Sequence, residues 1–98
     1  MMFTGILELD ILLGDVHSLK QKRSIVRPLV SSIQRRWPVA VAEAGYQDLH
    51  RRTLIGIATV ADTPAHCAEV MNHIEQFVAG EPAIDLLSAR HRLIGPED

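Results

Sequence analysis

Six basic residues crowd one stretch of the chain. Lys20, Lys22, Arg23, Arg27, Arg35 and Arg36 fall between Asp15 and Trp37 against Asp15 alone, a net of +5. From Asp62 to Asp85 the balance inverts: Asp62, Glu69, Glu75, Glu81 and Asp85 stand without a lysine or arginine, a net of −5. Clustered cations can neutralise the phosphates of RNA or the carboxylates of an acidic protein. They can equally solvate a surface and attract the acidic segment of their own chain.

Other residue groupings offer weaker chemistry. Glu8 and Asp10 share one face of an alternating run, and Glu43 lies in the next strand-like segment. Paired carboxylates do acid–base work only in a cleft that separates their pKa values, and these are expected on an open sheet face or its rim, solvated or paired with a partner. His66, Glu69 and His73 follow i, i+3, i+7 spacing, which could converge on a metal, but they read as exposed histidines on an acidic helix. Cys67, the single cysteine, excludes an internal disulfide and the CxxC pair of a small metal chaperone. Its place among apolar residues reads as core packing. No metal or cofactor is expected.

The elements that must position these residues follow from periodicity. Residues 3–13 alternate as a strand, with Phe3, Gly5, Leu7, Leu9, Ile11 and Leu13 on one face and Thr4, Ile6, Glu8, Asp10 and Leu12 on the other. Ser18 with Gln21 forms a capping box for a helix reaching about Arg36. Its buried stripe is Leu19, Val26, Leu29, Val30, Ile33 and Trp37. Pro28 removes a backbone donor in mid-helix and crowds the Ser24 carbonyl, so a kink or a helix in two segments is expected there, but the apolar stripe continues across it and the helix is kept as one element. Val39–Tyr46 reads as a second strand, Gln47–Arg52 as a polar connection, and Thr53–Ala61 as a strand apolar on both faces and hence central. Thr63 and Pro64 start a second helix whose stripe is Cys67, Val70, Met71, Ile74, Phe77 and Val78, and Gly80 and Pro82 end it. Residues 83–94 form a last strand of weaker character.

Strand, helix, strand, strand, helix, strand is the order of a ferredoxin-like α+β sandwich, with both helices on one face of a four-stranded antiparallel sheet. Ninety-eight residues, 47% hydrophobic and 22% charged, suit a single globular domain spanning residues 1–98. Glu8 and Asp10 interrupt the apolar N-terminus, and no later segment approaches a membrane span, so a cytoplasmic location is expected. The face away from the helices carries Ile6, Leu12 and part of the third strand, an apolar surface that suggests a homodimer.

At 100° per residue, Lys20, Arg27 and Arg35 point away from the core stripe, Lys22 lies at its edge and Arg23 borders it. One reading of Lys22 and Arg23 is that their stems lie on apolar surface with their charges in water. The other is an anion site where the two meet the Gly14–Ser18 loop at the helix N-terminus.

Three stretches, His17 with SLKQKR (18–23), VAVAEAGYQD (39–48) and RRTLIGIATV (51–60), resemble the YlxP-like family of small bacterial proteins, a domain of unknown function. Leu19, Lys20, Lys22 and Arg23 match its LKxKR pattern, and Ala42, Glu43, Gln47 and Asp48 its AExxxQD pattern. The resemblance implies a ferredoxin-like fold and a gene setting near translation and ribosome-maturation factors.

The primary expectation is a non-enzymatic binding protein, associated with ribosomes, RNA or an acidic protein through the first helix. Its site residues would be drawn from His17, Lys20, Lys22, Arg23, Arg27, Glu43, Gln47 and Asp48. One alternative is a small-ligand or enzymatic domain of the same fold. Asn72, the single asparagine, falls on the second helix, so an asparagine beside a strand arginine, as in acylphosphatases, is missing. The other alternative is a homodimeric interaction module. Strand aromatics are limited to Phe3 and Tyr46, which argues against base stacking on the sheet and moves any RNA contact to the helix side.

Overall fold

Alternation in the first strand becomes burial: Leu7, Leu9, Ile11 and Leu13 are almost wholly enclosed, while Ile6, Glu8, Asp10 and Leu12 between them keep contact with water. The computed structural model describes residues 1–98. Their order is β1 (Phe3–Leu13), α1 (Leu19–Arg36), β2 (Ala40–Gly45), β3 (Arg52–Ala61), α2 (Pro64–Ala79) and β4 (Ile84–Ile94). The strands form one antiparallel sheet in the order β2-β3-β1-β4. This is the βαββαβ, ferredoxin-like arrangement, and β3 sits centrally as its two apolar faces require.

Both helices supply residues to one core with the Leu7, Leu9, Ile11, Ile55 and Ile57 face of the sheet. From α1 come Val26, Leu29 and Ile33, and from α2 come Cys67, Val70, Met71, Ile74 and Val78. Gly5 lets α2 approach β1 closely, because a Cβ there would stand 2.9 Å from the Met71 sulfur. Trp37 and Phe77 join the helices edge to face at 5.5 Å, and the Arg36 guanidinium lies 4.4 Å from the Phe77 ring centre.

Ser18 caps α1 by accepting from the Gln21 amide at 3.1 Å, and the Gln21 side chain accepts from the His17 amide at 2.6 Å. The helix then runs unbroken through Pro28 for 18 residues, so it is one element rather than two segments. The proline ring is exposed, while Val26, Leu29 and Ile33 hold that turn against the core. β4 matches the expected 83–94 to within one residue despite its weak pattern: it pairs with β1 along its length, with one irregularity at Asp10/Ile11.

Candidate functional site

α1 lies over the β2–β3 side of the sheet. Its packing there creates the largest groove of the molecule, about 450 Å³, walled by one face of α1 and by Glu43 and Gln47. Leu19, Lys22, Arg23, Val26, Arg27 and Val30 recur along that face at helical spacing. Five of the eight residues expected at a site therefore meet here: Lys22, Arg23, Arg27, Glu43 and Gln47.

Lys22 corrects the sequence reading. Its side chain is 3% exposed, and its ammonium neither reaches water nor joins the Gly14–Ser18 loop. It donates to the Tyr46 carbonyl at 2.7 Å and pairs with Glu43 Oε2 at 2.8 Å. Thr53 Oγ1 donates to the same carboxylate oxygen at 2.6 Å. The cause is the docking of α1: Lys22 sits one turn before the buried Val26, and its stem reaches inward to the nearest carboxylate. Since the α1 terminus is capped by Ser18 and Gln21 and Lys22 is engaged elsewhere, the anion site expected at that loop is not assembled.

Glu43 is corrected in the same way. It is opposite Ile55 in the register, on the helix side of β2, and so does not share the open face with Glu8 and Asp10. Desolvation, its largest single influence, opposes ionisation, but hydrogen bonds from Lys22 and Thr53 and the nearby Lys22 and Arg23 charges outweigh it. The carboxyl is held below its ordinary range. Asp10 does lie on the open face, where Arg52 grips it through two bonds of 2.6 and 2.8 Å. The bonds from Arg52 lower its carboxyl, burial opposes them, and the Arg52 charge adds to the lowering.

Tyr46 adopts a left-handed φ of 60° in the turn after β2, a conformation that costs an L-residue roughly 1–2 kcal/mol. Its carbonyl accepts from Lys22 and from the Leu49 amide, and its ring lies under the Arg52 guanidinium at 4.9 Å. These contacts hold the turn that follows β2.

The remaining expected residues lie apart. His17 is exposed and faces Asp15 at 2.6 Å, Lys20 is exposed on another side of α1, and Asp48 is exposed in the β2–β3 connection. Thr53, Tyr46 and the apolar wall of Leu19, Val26 and Val30 were not singled out as site residues. The one available signal was Thr53, a polar residue in phase with the inward-facing Ile55 and Ile57. His66, Glu69 and His73 do not come together, and no group of three His, Cys, Asp or Glu is placed to hold a metal. No helix is long and apolar enough to cross a membrane.

Comparison with known proteins agrees with this fold. A de novo designed protein with a ferredoxin fold, solved by solution NMR, superposes with a TM-score of 0.54 at 14% identity, covering 94% of this chain and 85% of its own. The uncharacterized protein YlxP of Bacillus subtilis (strain 168) is 30% identical over 81 residues, 83% of this chain and 88% of the relative. Residues 4–91 match the family described as protein of unknown function (DUF503). The sandwich, the groove beneath α1 and the residues that wall it are thus those of a chain that belongs to the DUF503 family.

Proposed function

We propose that the chain is a non-enzymatic binding protein that docks on structured RNA, such as a ribosomal surface, through the basic side of α1. One observation carries this reading. The four ion pairs of the molecule are His17–Asp15, Lys22–Glu43, Arg52–Asp10 and His91–Glu75, so Lys20, Arg23, Arg27, Arg35 and Arg36 are exposed without a carboxylate partner. Lys20, Arg23 and Arg27 border one shallow depression on the helix surface. With a formal net charge of −2 overall, attraction to phosphate depends on local clustering, and the five free cations of α1 outnumber the exposed, unpaired Arg90 and Arg92 of β4. The open sheet face offers no stacking platform, since Phe3 packs against the core and Tyr46 is engaged by Arg52.

Sedimentation with ribosomal subunits over a potassium chloride series tests the reading. Three phosphate contacts give a log–log salt slope of roughly −2 to −3. Lys20→Glu with Arg35→Glu should weaken binding at least tenfold without altering the melting temperature. Absence of binding by the native chain at low salt, or equal binding by the variant, overturns the proposal.

A second reading is favoured by a separate surface. Val60 is 61% exposed on the open sheet face, beside a shallow apolar depression lined by Ile6, Ala40, Ala42, Gly56 and Ala58. A second copy of the chain would cover this face, and the mass in solution tests that.

A further inference from the structure

β2 is the outer strand of the sheet and bonds only to β3. Its other edge presents backbone donors and acceptors to solvent. The only side chain that bonds to its backbone is Gln47, whose Nε2 donates to the Glu43 carbonyl at 3.3 Å. Beside this edge runs the α1 wall of the groove. Leu19, Val26 and Val30 provide apolar contact, and Arg23 and Arg27 stand exposed above them. From Leu19 to Val30 the helix rises about 16 Å, which is the length of a five-residue strand, about 17 Å.

We propose that the cleft between α1 and the free edge of β2 receives an extended acidic segment of another protein, which adds to the sheet as a fifth strand. Backbone bonds to β2 would supply affinity, and the pockets beside the strand would select alternate side chains. The helix-facing positions of the segment, every second residue, would be apolar and acidic in turn, the apolar ones lying on Val26 and Val30 and the carboxylates reaching Arg23 and Arg27.

Charge decides the occupant. Glu43 neutralises Lys22 within the wall, whereas Arg23 and Arg27 have no carboxylate of their own. A second copy fits poorly here. Antiparallel pairing of two β2 edges about a two-fold axis places two α1 helices side by side, with Arg23 and Arg27 of each facing their equivalents. RNA is also disfavoured in the cleft, because it would leave the apolar wall and the strand edge unused. The proposal goes beyond the RNA reading and does not depend on it. The two surfaces share Arg23 and Arg27, so an acidic segment and RNA should compete.

The probe is a fluorescein-labelled nine-residue peptide with threonine at its even positions and glutamate and valine in turn at its odd positions, which share one face of the strand. Controls are the same peptide with lysine for glutamate, and the glutamate peptide with proline at its central positions. Fluorescence anisotropy should give saturable sub-millimolar binding of the glutamate peptide, at least tenfold weaker binding of both controls, and a further tenfold loss with Arg23→Glu. Arg23 is exposed, so an unchanged melt confirms that this variant folds. Amide exchange should slow at residues 40–43 of β2 when the peptide binds. Lys20→Glu with Arg35→Glu should leave peptide affinity unchanged, which separates failure here from failure of the RNA reading. No binding at 1 mM, equal binding of the proline peptide, or protection outside β2 overturns the proposal.

Discussion

Lys22 belongs to a helix that otherwise turns its cations to water, yet its ammonium is enclosed between Glu43 and the Tyr46 carbonyl. This contact ties α1 to β2 and to the left-handed turn that follows, while Thr53 fixes the carboxylate from β3. Removing one member leaves the other with its desolvation uncompensated. Lys22→Met should therefore lower stability by about 3 kcal/mol, and adding Glu43→Gln should restore much of it; urea unfolding of the four-member cycle measures the coupling. The same site sets part of the acid limit. Glu43 and Asp10 both have folded values below the ordinary carboxylate range of about 4. The unfolded chain therefore takes up these protons first as pH falls. Their contribution is complete above that range and is lost as pH drops through the lowered folded values. Thermal melts between pH 7 and 2 should show the decline, and Asp10→Asn with Glu43→Gln should flatten it. In sequence, Lys22 at the stripe edge and Glu43 on a strand were both visible. That they meet was not, because the pairing depends on how α1 crosses β2, a distance fixed by packing rather than by spacing.

Periodicity alone gave the elements where one face is buried and the other wet. β1 alternates without error, and the α2 stripe is the buried set, with Phe77 partly covered. It was least informative at the edges of the sheet. β2 reads as alanine and valine with little contrast, and β4 mixes Arg90, His91 and Arg92 with Leu93 and Ile94, so neither announces its partner. Both are positioned by the central strands they pair with. Pro28 shows the opposite case, a strong local signal overridden by the core. An interior proline costs about 3 kcal/mol, and burial of an aliphatic side chain contributes roughly 1.5–3 kcal/mol, so Val26, Leu29 and Ile33 together outweigh it. Because the ring is exposed, little packing is lost on its removal. Pro28→Ala should restore the donor to the Ser24 carbonyl and raise stability by about 1–2 kcal/mol, after the greater freedom of the unfolded alanine chain is subtracted. A urea midpoint equal to or below that of the native chain would show that the proline is accommodated without strain.

Across the whole molecule the two faces of the sheet have different fates. One is closed by α1 and α2, which meet where Trp37 and Arg36 pack on Phe77. The other carries Ile6, the small residues Ala40, Ala42, Gly56 and Ala58, and the exposed Val60, with no helix over them. Its apolar character was legible from the alternation of β1 and the two-sided apolarity of β3. The register adds what the sequence could not: small residues from β2 and β3 lie side by side, so the surface is smooth enough for another flat sheet to approach. Glu8 and Arg90 stand opposite one another in register on this face without forming an ion pair. A two-fold contact can match the Glu8 of one copy with the Arg90 of the other, and the reverse, as an isologous interface requires. Multi-angle light scattering should then give twice the 10.9 kDa chain mass at tens of micromolar. Val60→Asp should shift it to the monomer, by placing a carboxylate in the desolvated contact. Since Val60 is already exposed, that substitution should leave the monomer's fold intact, and circular dichroism checks this. A native chain that stays monomeric at millimolar concentration would leave the open face to some other partner and end the dimer reading.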